Sequence, residues 1–413
     1  MDPGGQGGAE DCLEGEPRWA CDPSYWTPVS VEPNICKFYK IDLEKAKFPP
    51  LLWSSCGPGC GVTSVQFSPE HSLAAVHSSG AFFQGGEVYL KLDIAWPDPK
   101  PGRMSAFVRA SDGIVVNAFQ QTSSPGVSCG TLQYGRNAPS HLIYSSYLSK
   151  EDEKSSGYVS GRFESSNGFS WNPFLARNLG IPTSAFEYEK GWGILAGGKI
   201  GLIHSPAQKE FEVVGYSPGY STSGYGPVIV WPGSYSSDMW QSLQRYHEKQ
   251  GVTTILEKAA APTINRVALS ENHLAWISTD GIDGKYKNAF LSWSPSPKNP
   301  TLISQESIQT ISLPVDTGLL QLQIFNDFAV TSGHISPALG SYRLFVVHMP
   351  SKKIWMIPTH PEYRFSWMLG ISPDEIFISA KSDLIWHPTA FDKIVRLRLD
   401  HLDELEAAWT PAP

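Results

Sequence analysis

One pattern recurs along the chain: a short apolar strand, a tight polar turn, and a second short apolar strand. It runs from 62–67 (VTSVQF) into 73–76 (LAAV), from 104–108 (MSAFV) into 114–116 (IVV), and from 184–188 (SAFEY) into 192–195 (WGIL). It returns from 264–269 (INRVAL) into 274–277 (LAWI), from 322–325 (LQIF) into 328–330 (FAV), and from 365–369 (FSWML) into 376–378 (IFI). Repeated hairpins mean a repeat architecture, in which each unit buries its apolar face against its neighbours.

The spacing selects among such architectures. Taking Leu73, Ile114, Trp192, Leu274, Phe328 and Ile376 as phase markers, the intervals are 41, 78, 82, 54 and 48 residues. A four-stranded antiparallel blade of a β-propeller takes about 40–50 residues. Each interval near 80 residues therefore holds a second, degraded copy: one between Gly130 and Trp171, the other between Val213 and Glu257, where 228–231 (VIVW) and 253–256 (TTIL) have strand character. The expected fold is all-β: a single closed β-propeller of about seven four-stranded blades, within a range of six to eight.

The two ends predict how the ring joins. The last unit has a strand at 394–399 and no further strand before the terminus, and 36–43 has strand character without a hairpin before it. Open sheet edges are a liability that propellers avoid, so 37–43 is expected to pair with 394–399 in the last blade. Residues 1–30 read as a flexible, acidic, Gly-rich tether, and 31–413 as the propeller. Helix is expected at 237–249, where Met239, Trp240, Leu243 and Tyr246 follow helical spacing behind a capping Ser/Asp, and in a short turn or two at 402–409.

Charge and cysteines bound the environment. Net charge is −8, of which −5 lies in residues 1–25, and no basic run exists, so a nucleic-acid partner is not expected. All six cysteines (Cys12, Cys21, Cys36, Cys56, Cys60 and Cys129) precede residue 130. An even, clustered set predicts disulfides that fix the N-terminal part of an exported protein. Neither a membrane-spanning run nor a signal peptide is present. The opening MDPGGQGGAED resembles the tether that follows the cleavage site of a bacterial lipoprotein. That resemblance implies an extracytoplasmic location, whether periplasmic, outer-membrane anchored or secreted, with a lipid anchor on the native form. A monomer is expected.

The hairpin pattern resembles TolB-like and WD-type propellers, although the Trp-Asp signature is absent; this implies fold and not function. The segment 165–171 (SSNGFSW) resembles an Asp-box of sialidase-type propellers, with Gly168, Ser170 and Trp171 in place and Ser166 at the Asp position. Candidate site residues come from segments assigned to the longer loops, opposite the short hairpin turns, since function concentrates on elaborated loops. They are Phe82, Phe83, Asp280, Tyr286, His334, Trp386 and His387 for ligand contact, with His360, Tyr363 and Arg364 as catalytic candidates. A Tyr or His that moves a proton, beside an Arg that neutralises a uronate, would suit a polysaccharide lyase. A glycoside hydrolase needs two carboxylates, for which Glu362, Asp280, Asp283 and Asp383 are the nominees. Asp280 and Asp283 beside glycines also suit calcium; no other cofactor or metal is implied.

The expected function is an exported, non-catalytic propeller that recognises a glycan or a protein through its loop-rich face. The alternatives are a carbohydrate-active enzyme with its site at the axis and a structural component of an envelope assembly. Export carries a direct test: thiol titration of the unfolded, unreduced protein should find at most two free thiols. Six would remove the ground for placing the protein outside the cytoplasm.

Overall fold

In the computed structural model the residues described are 12, 17–29, 36–65, 75–95, 102–123, 129–131, 140–146, 155–165, 168–177, 182–188, 191–196, 198–203, 212–217, 221–236, 239–257, 263–280, 288–299, 301–314, 317–335, 342–381 and 393–410. Their strands fall into seven antiparallel sheets taken in chain order. The inner five are four-stranded meanders: second sheet Cys129–Thr131 to Gly168–Arg177, third Pro182–Tyr188 to Glu212–Tyr216, fourth Ser223–Tyr225 to Gly251–Leu256, fifth Thr263–Leu269 to Gln309–Leu313, and sixth Thr317–Phe325 to Lys353–Pro358. The arrangement is a β-propeller.

Neighbouring sheets are held together by shared apolar faces. Ile229 and Trp231 of the fourth sheet pack with Phe186 and Leu195 of the third. Trp276 of the fifth packs with Val230 and Leu243 of the fourth, and Phe345 of the sixth with Leu291 and Trp293 of the fifth. Val346 and Trp355 of the sixth meet Ile378 and Val395 of the last. The first sheet has two such faces. Phe82, Tyr89 and Phe107 stack around Phe163 of the second sheet, while Ala81, Leu90, Leu92 and Ala106 pack on Leu369, Phe377 and Ile394 of the last. Burying a large apolar side chain contributes about 1.5–3 kcal/mol, so each of these faces is a substantial part of the stability.

Uniform four-stranded blades are corrected at both ends. The first sheet has six strands, ordered Trp26–Pro28, Cys36–Ile41, Val115–Ser123, Gly102–Arg109, Glu87–Ala95 and Ala75–Gln84. The last has five, ordered Arg364–Ile371, Glu375–Lys381, Lys393–Arg398, Cys60–Ser64 and Ser54–Gly57. The expected pairing of 37–43 with 394–399 is therefore overturned. Cys36–Ile41 pairs with Val115–Ser123, and Lys393–Arg398 takes Cys60–Ser64 as its partner, in register from Leu397↔Cys60 to Lys393↔Ser64. Val62 to Ser64, read as the opening of a hairpin in the first blade, thus belong to the last sheet. Strand character marks a residue run as β but does not name its neighbour.

Two further expectations change. Met239–His247 is a strand, paired on both sides, where the spacing suggested a helix. Of the stretch read as a tether, Pro17 to Val29 are described, and Trp19 and Ala20 are buried against the first sheet. The C-terminal helix Leu402–Trp409 does form. It lies along the outer strand of the sixth sheet, tied by Asp403 to Lys353 Nζ at 2.8 Å and to Trp355 Nε1 at 2.7 Å.

The contact between first and last sheets is close enough to demand glycine. A Cβ on Gly370 would lie 2.0 Å from the Ala81 carbonyl oxygen, which belongs to backbone and cannot rotate away. Gly370→Ala should lower stability by about 1–3 kcal/mol, as overpacking does. A urea melt would show a lower midpoint at unchanged slope; an unchanged midpoint would mean that the two sheets are not tightly apposed.

Candidate functional site

Because strands alternate in direction, the turns joining first to second and third to fourth strands emerge on one face of a propeller. On that face, at the seam between the first and last sheets, lies a cleft of ≈850 Å³. The first sheet supplies Phe83, Glu87 and Ser111, and the last supplies Ser55, Asp374, Glu375 and Arg396. Phe328 enters from the sixth sheet, Arg398 from the end of a strand of the last sheet, and Asp400 from the segment leading to the C-terminal helix. The volume is in the range typical of small-ligand sites.

The walls are stiff. Ser372 and Glu375 close the turn at 372–375 through a backbone bond of 2.8 Å and a Ser372 Oγ acceptor at 3.1 Å. The Cys56–Cys60 disulfide pins the opposite turn, and the Arg398 amide donates to the Gly59 carbonyl at 2.9 Å. In the chain-entropy view so short a loop contributes only about 2 kcal/mol, so its larger effect is to set the shape of this rim.

The charges are placed by packing. Arg396 lies over the Trp53 ring, 4.5 Å from guanidinium carbon to centroid, and 3.7 Å from the Glu375 carboxylate. Gly61 makes room for it, since a Cβ there would fall 2.6 Å from Arg396 Nε. Burial pushes the Glu375 carboxyl above its ordinary value, and Arg396 and Arg398 pull it only part of the way back. Arg398 donates to Asp400 through Nε at 3.0 Å and Nη2 at 2.6 Å, which lowers the Asp400 carboxyl. Glu87 accepts from Ser111 Oγ at 3.0 Å.

The residues nominated from sequence lie elsewhere for the most part. Phe82 is buried within the ring cluster around Phe163 and is a packing residue. Phe83 meets Phe325 edge-on at 5.5 Å, near a turn rather than in a loop of the opposite face, because Ala75–Gln84 is one continuous strand. His360 and Tyr363 do come together, with ring centroids 4.7 Å apart, and Trp409 stands edge-on to His360 at 4.9 Å. Nε2 of His360 lies 3.1 Å from the Cys56 carbonyl, and its Nδ1 accepts from the Glu362 amide at 3.0 Å. Burial lowers its pKa, in keeping with a neutral imidazole that ties the C-terminal helix to the last sheet. Arg364 begins the first strand of the last sheet opposite Lys381.

Asp280 accepts from the backbone and side-chain amides of Asn288 and so clamps the two ends of its loop. His334 sits edge-on to Tyr342 at 5.5 Å. Asp283, Tyr286, Asp383, Trp386 and His387, with Ser166 of the Asp-box resemblance, lie outside the described residues. Among the described residues no group of three His, Cys, Asp or Glu could hold a metal ion, and no helix is long and apolar enough to cross a membrane. Cys12–Cys21 and Cys56–Cys60 are bonded, and no free cysteine occurs among the described residues.

Sequence reasoning missed Trp53, Glu375, Arg396 and Arg398. Their one signal is the alternation of Arg396 and Arg398 along a C-terminal strand, which puts both on the polar side of an otherwise apolar segment. Asp374 and Glu375 are of types common in any turn between two strands.

No family model matches the chain, and no curated protein sequence matches it. Solved structures with a similar backbone include the β-propeller domain of the Trilobed protease from Pyrococcus furiosus, described as having an open velcro topology, with 13% identity, 78% of this chain and 92% of that chain covered, and a TM-score of 0.45. Hsv2 of Kluyveromyces lactis follows at 9% identity, 71% and 87% coverage and a TM-score of 0.43. An uncharacterized protein of Listeria monocytogenes EGD-e has 10% identity, 86% and 89% coverage and a TM-score of 0.35. Likeness at this level says nothing about ligands.

The raised Glu375 carboxyl has a consequence for stability. The folded state holds this proton to higher pH than the unfolded chain, so Glu375 weakens the fold progressively as pH rises above the ordinary glutamate value of about 4.3. Glu375→Gln removes that titration. Its stability relative to wild type should therefore improve as pH rises, measured by urea melts at stepped pH. Parallel curves would show that Glu375 is solvated like a surface residue.

Proposed function

We propose that this protein is an exported, non-catalytic binding propeller that recognises a glycan or protein ligand, with the seam cleft as its principal site. The observation that carries the reading is a concave site of ligand size whose charged groups are already anchored, Arg396 by Trp53 and Arg398 by Asp400. Preorganised groups spare a ligand the cost of ordering them. Support for export comes from the two disulfides, which persist in oxidising compartments. The loop-rich face, with Asp280 and His334, remains a second surface for contact.

One observation favours an enzyme as the second reading. Glu375 combines a carboxyl raised by burial with a place in the cleft, as a general acid requires, and Glu87 stands on the other wall as the second carboxylate for a glycoside hydrolase.

Glycan and peptide arrays probed with the full, disulfide-intact protein test both. A bound ligand whose affinity falls about tenfold or more in Arg396→Gln or in Asp374→Asn, roughly 1.4 kcal/mol, with the fold intact, supports the binding reading. Ligands indifferent to Arg396 and Asp374 would refute the cleft. Release of new reducing ends from an array glycan, lost in Glu375→Gln, would move the protein to the enzyme class.

A further inference from the structure

The proposed function leaves the ligand as a glycan or a protein, and the cleft's charge decides between them. Its walls carry the carboxylates of Glu87, Asp374, Glu375 and Asp400 against the guanidinium groups of Arg396 and Arg398. Arg398 is matched by Asp400 at 2.6 Å and Arg396 by Glu375 at 3.7 Å. The two acids beyond these pairs stand on opposite walls. Glu87 starts the second strand of the first sheet, and Asp374 lies in the turn that leads into the second strand of the last. A concave site with excess charge of one sign focuses its field on a ligand of the other.

Two aspects of the apolar surface point the same way. The rings that reach the cleft are already committed to other rings, Phe83 to Phe325 and Phe328 to His348 and Trp355. Neither is a bare platform of the kind that stacks a sugar. Beyond the rim, the Leu51 amide bonds the Gly113 carbonyl at 2.9 Å, which brings the chain at Leu52 beside the chain at Ile114. These two side chains are 74% and 48% exposed. Trp53, next in sequence, donates through Nε1 to the Ala110 carbonyl at 2.7 Å, and Ala110 is part of the cleft wall. An apolar step therefore adjoins an anionic cleft.

Resting on the binding reading above, we infer that the ligand is a segment of a partner protein that places a Lys or Arg side chain between Glu87 and Asp374 and lays a neighbouring aliphatic side chain on Leu52 and Ile114. The aliphatic stem of the basic residue runs along Phe83 and Phe328 while its head meets the two carboxylates. Binding is sensitive to salt, because the pairing is only partly buried.

The test is selection from a random dodecapeptide display library against the full, disulfide-intact protein, alongside a glycan array. The expected result is enrichment of peptides with Lys or Arg beside an aliphatic residue. Their affinity should fall about tenfold in the double variant Glu87→Gln, Asp374→Asn, and severalfold when salt is raised from 0.05 to 0.5 M. It should be unaffected by Lys249→Gln on the fourth sheet. The exposed single variant Asp374→Asn, with a melt to verify folding, gives the same reading if the double variant folds poorly. Enrichment of acidic or uncharged peptides, or peptide binding indifferent to Asp374, overturns the inference. A glycan that binds the cleft while no peptide does overturns it and leaves the binding function standing. If neither array yields a ligand, both readings fall.

Discussion

The backbone pairing of Cys60–Ser64 with Lys393–Arg398 is the constraint on which the rest of the molecule turns. Without it the last sheet would end on a bare edge, a row of unpaired amides and carbonyls open to any other chain. The pairing joins residues more than 300 positions apart in sequence. It presses the last sheet against the first, where Gly370 admits the Ala81 carbonyl and Leu90 and Leu92 meet Phe377 and Ile394. Contacts this distant in sequence carry a high loop-closure cost. The costs are met here by several residues at once: a register of five pairs, the disulfide that shapes the turn before the strand, and the Arg398 amide bound to Gly59.

The cleft is a by-product of the same seam. Its walls are mostly strand ends and turns from the chain's two ends, and Arg396 is oriented by a ring that the pairing brings near. Trp53 comes from the N-terminal crossing and Arg396 from the last long strand, and Gly61 between them leaves the guanidinium space to lie flat on the indole. The cation–π contact fixes the arginine, so Glu375 is left beside a cation that offsets only part of its desolvation. The stiffness of the fold thus becomes the chemistry of the site, in groups held before a ligand arrives.

Several readings of the chain failed for one reason, that a partner outranked a local pattern. Met, Trp, Leu and Tyr at helical spacing in 239–246 become a strand because Val228–Ser236 and Gly251–Leu256 pair with both its edges. Within it Arg245, which a helix would have turned to water, is wholly buried. Its guanidinium donates to the carbonyls of Pro297 and Lys298 at 2.7 and 2.8 Å and to Gln250. Phe82 reads as a loop aromatic and proves to be core, because Ala75–Gln84 continues as strand past the glycine that suggested a turn. His360 reads as a catalytic group and serves as a tie between the Cys56 carbonyl and Trp409.

What the chain determined by itself was the class of structure. Period-two apolar runs, turn residues at their ends and a recurring interval make antiparallel hairpins, and hairpins with one apolar face stack on their neighbours. Burial depends on residue type and alternation, which are local and legible. The hairpins at 184–195, 264–277, 322–330 and 365–378 and the hidden units near 130–171 and 213–257 follow from that. The tertiary structure alone decided which strand lies at the seam and therefore where the cleft is. Any strand edge offers the same amides and carbonyls to any partner, so the choice between Cys36–Ile41 and Cys60–Ser64 beside Lys393–Arg398 rests on the packing of whole sheets and is not written in either segment.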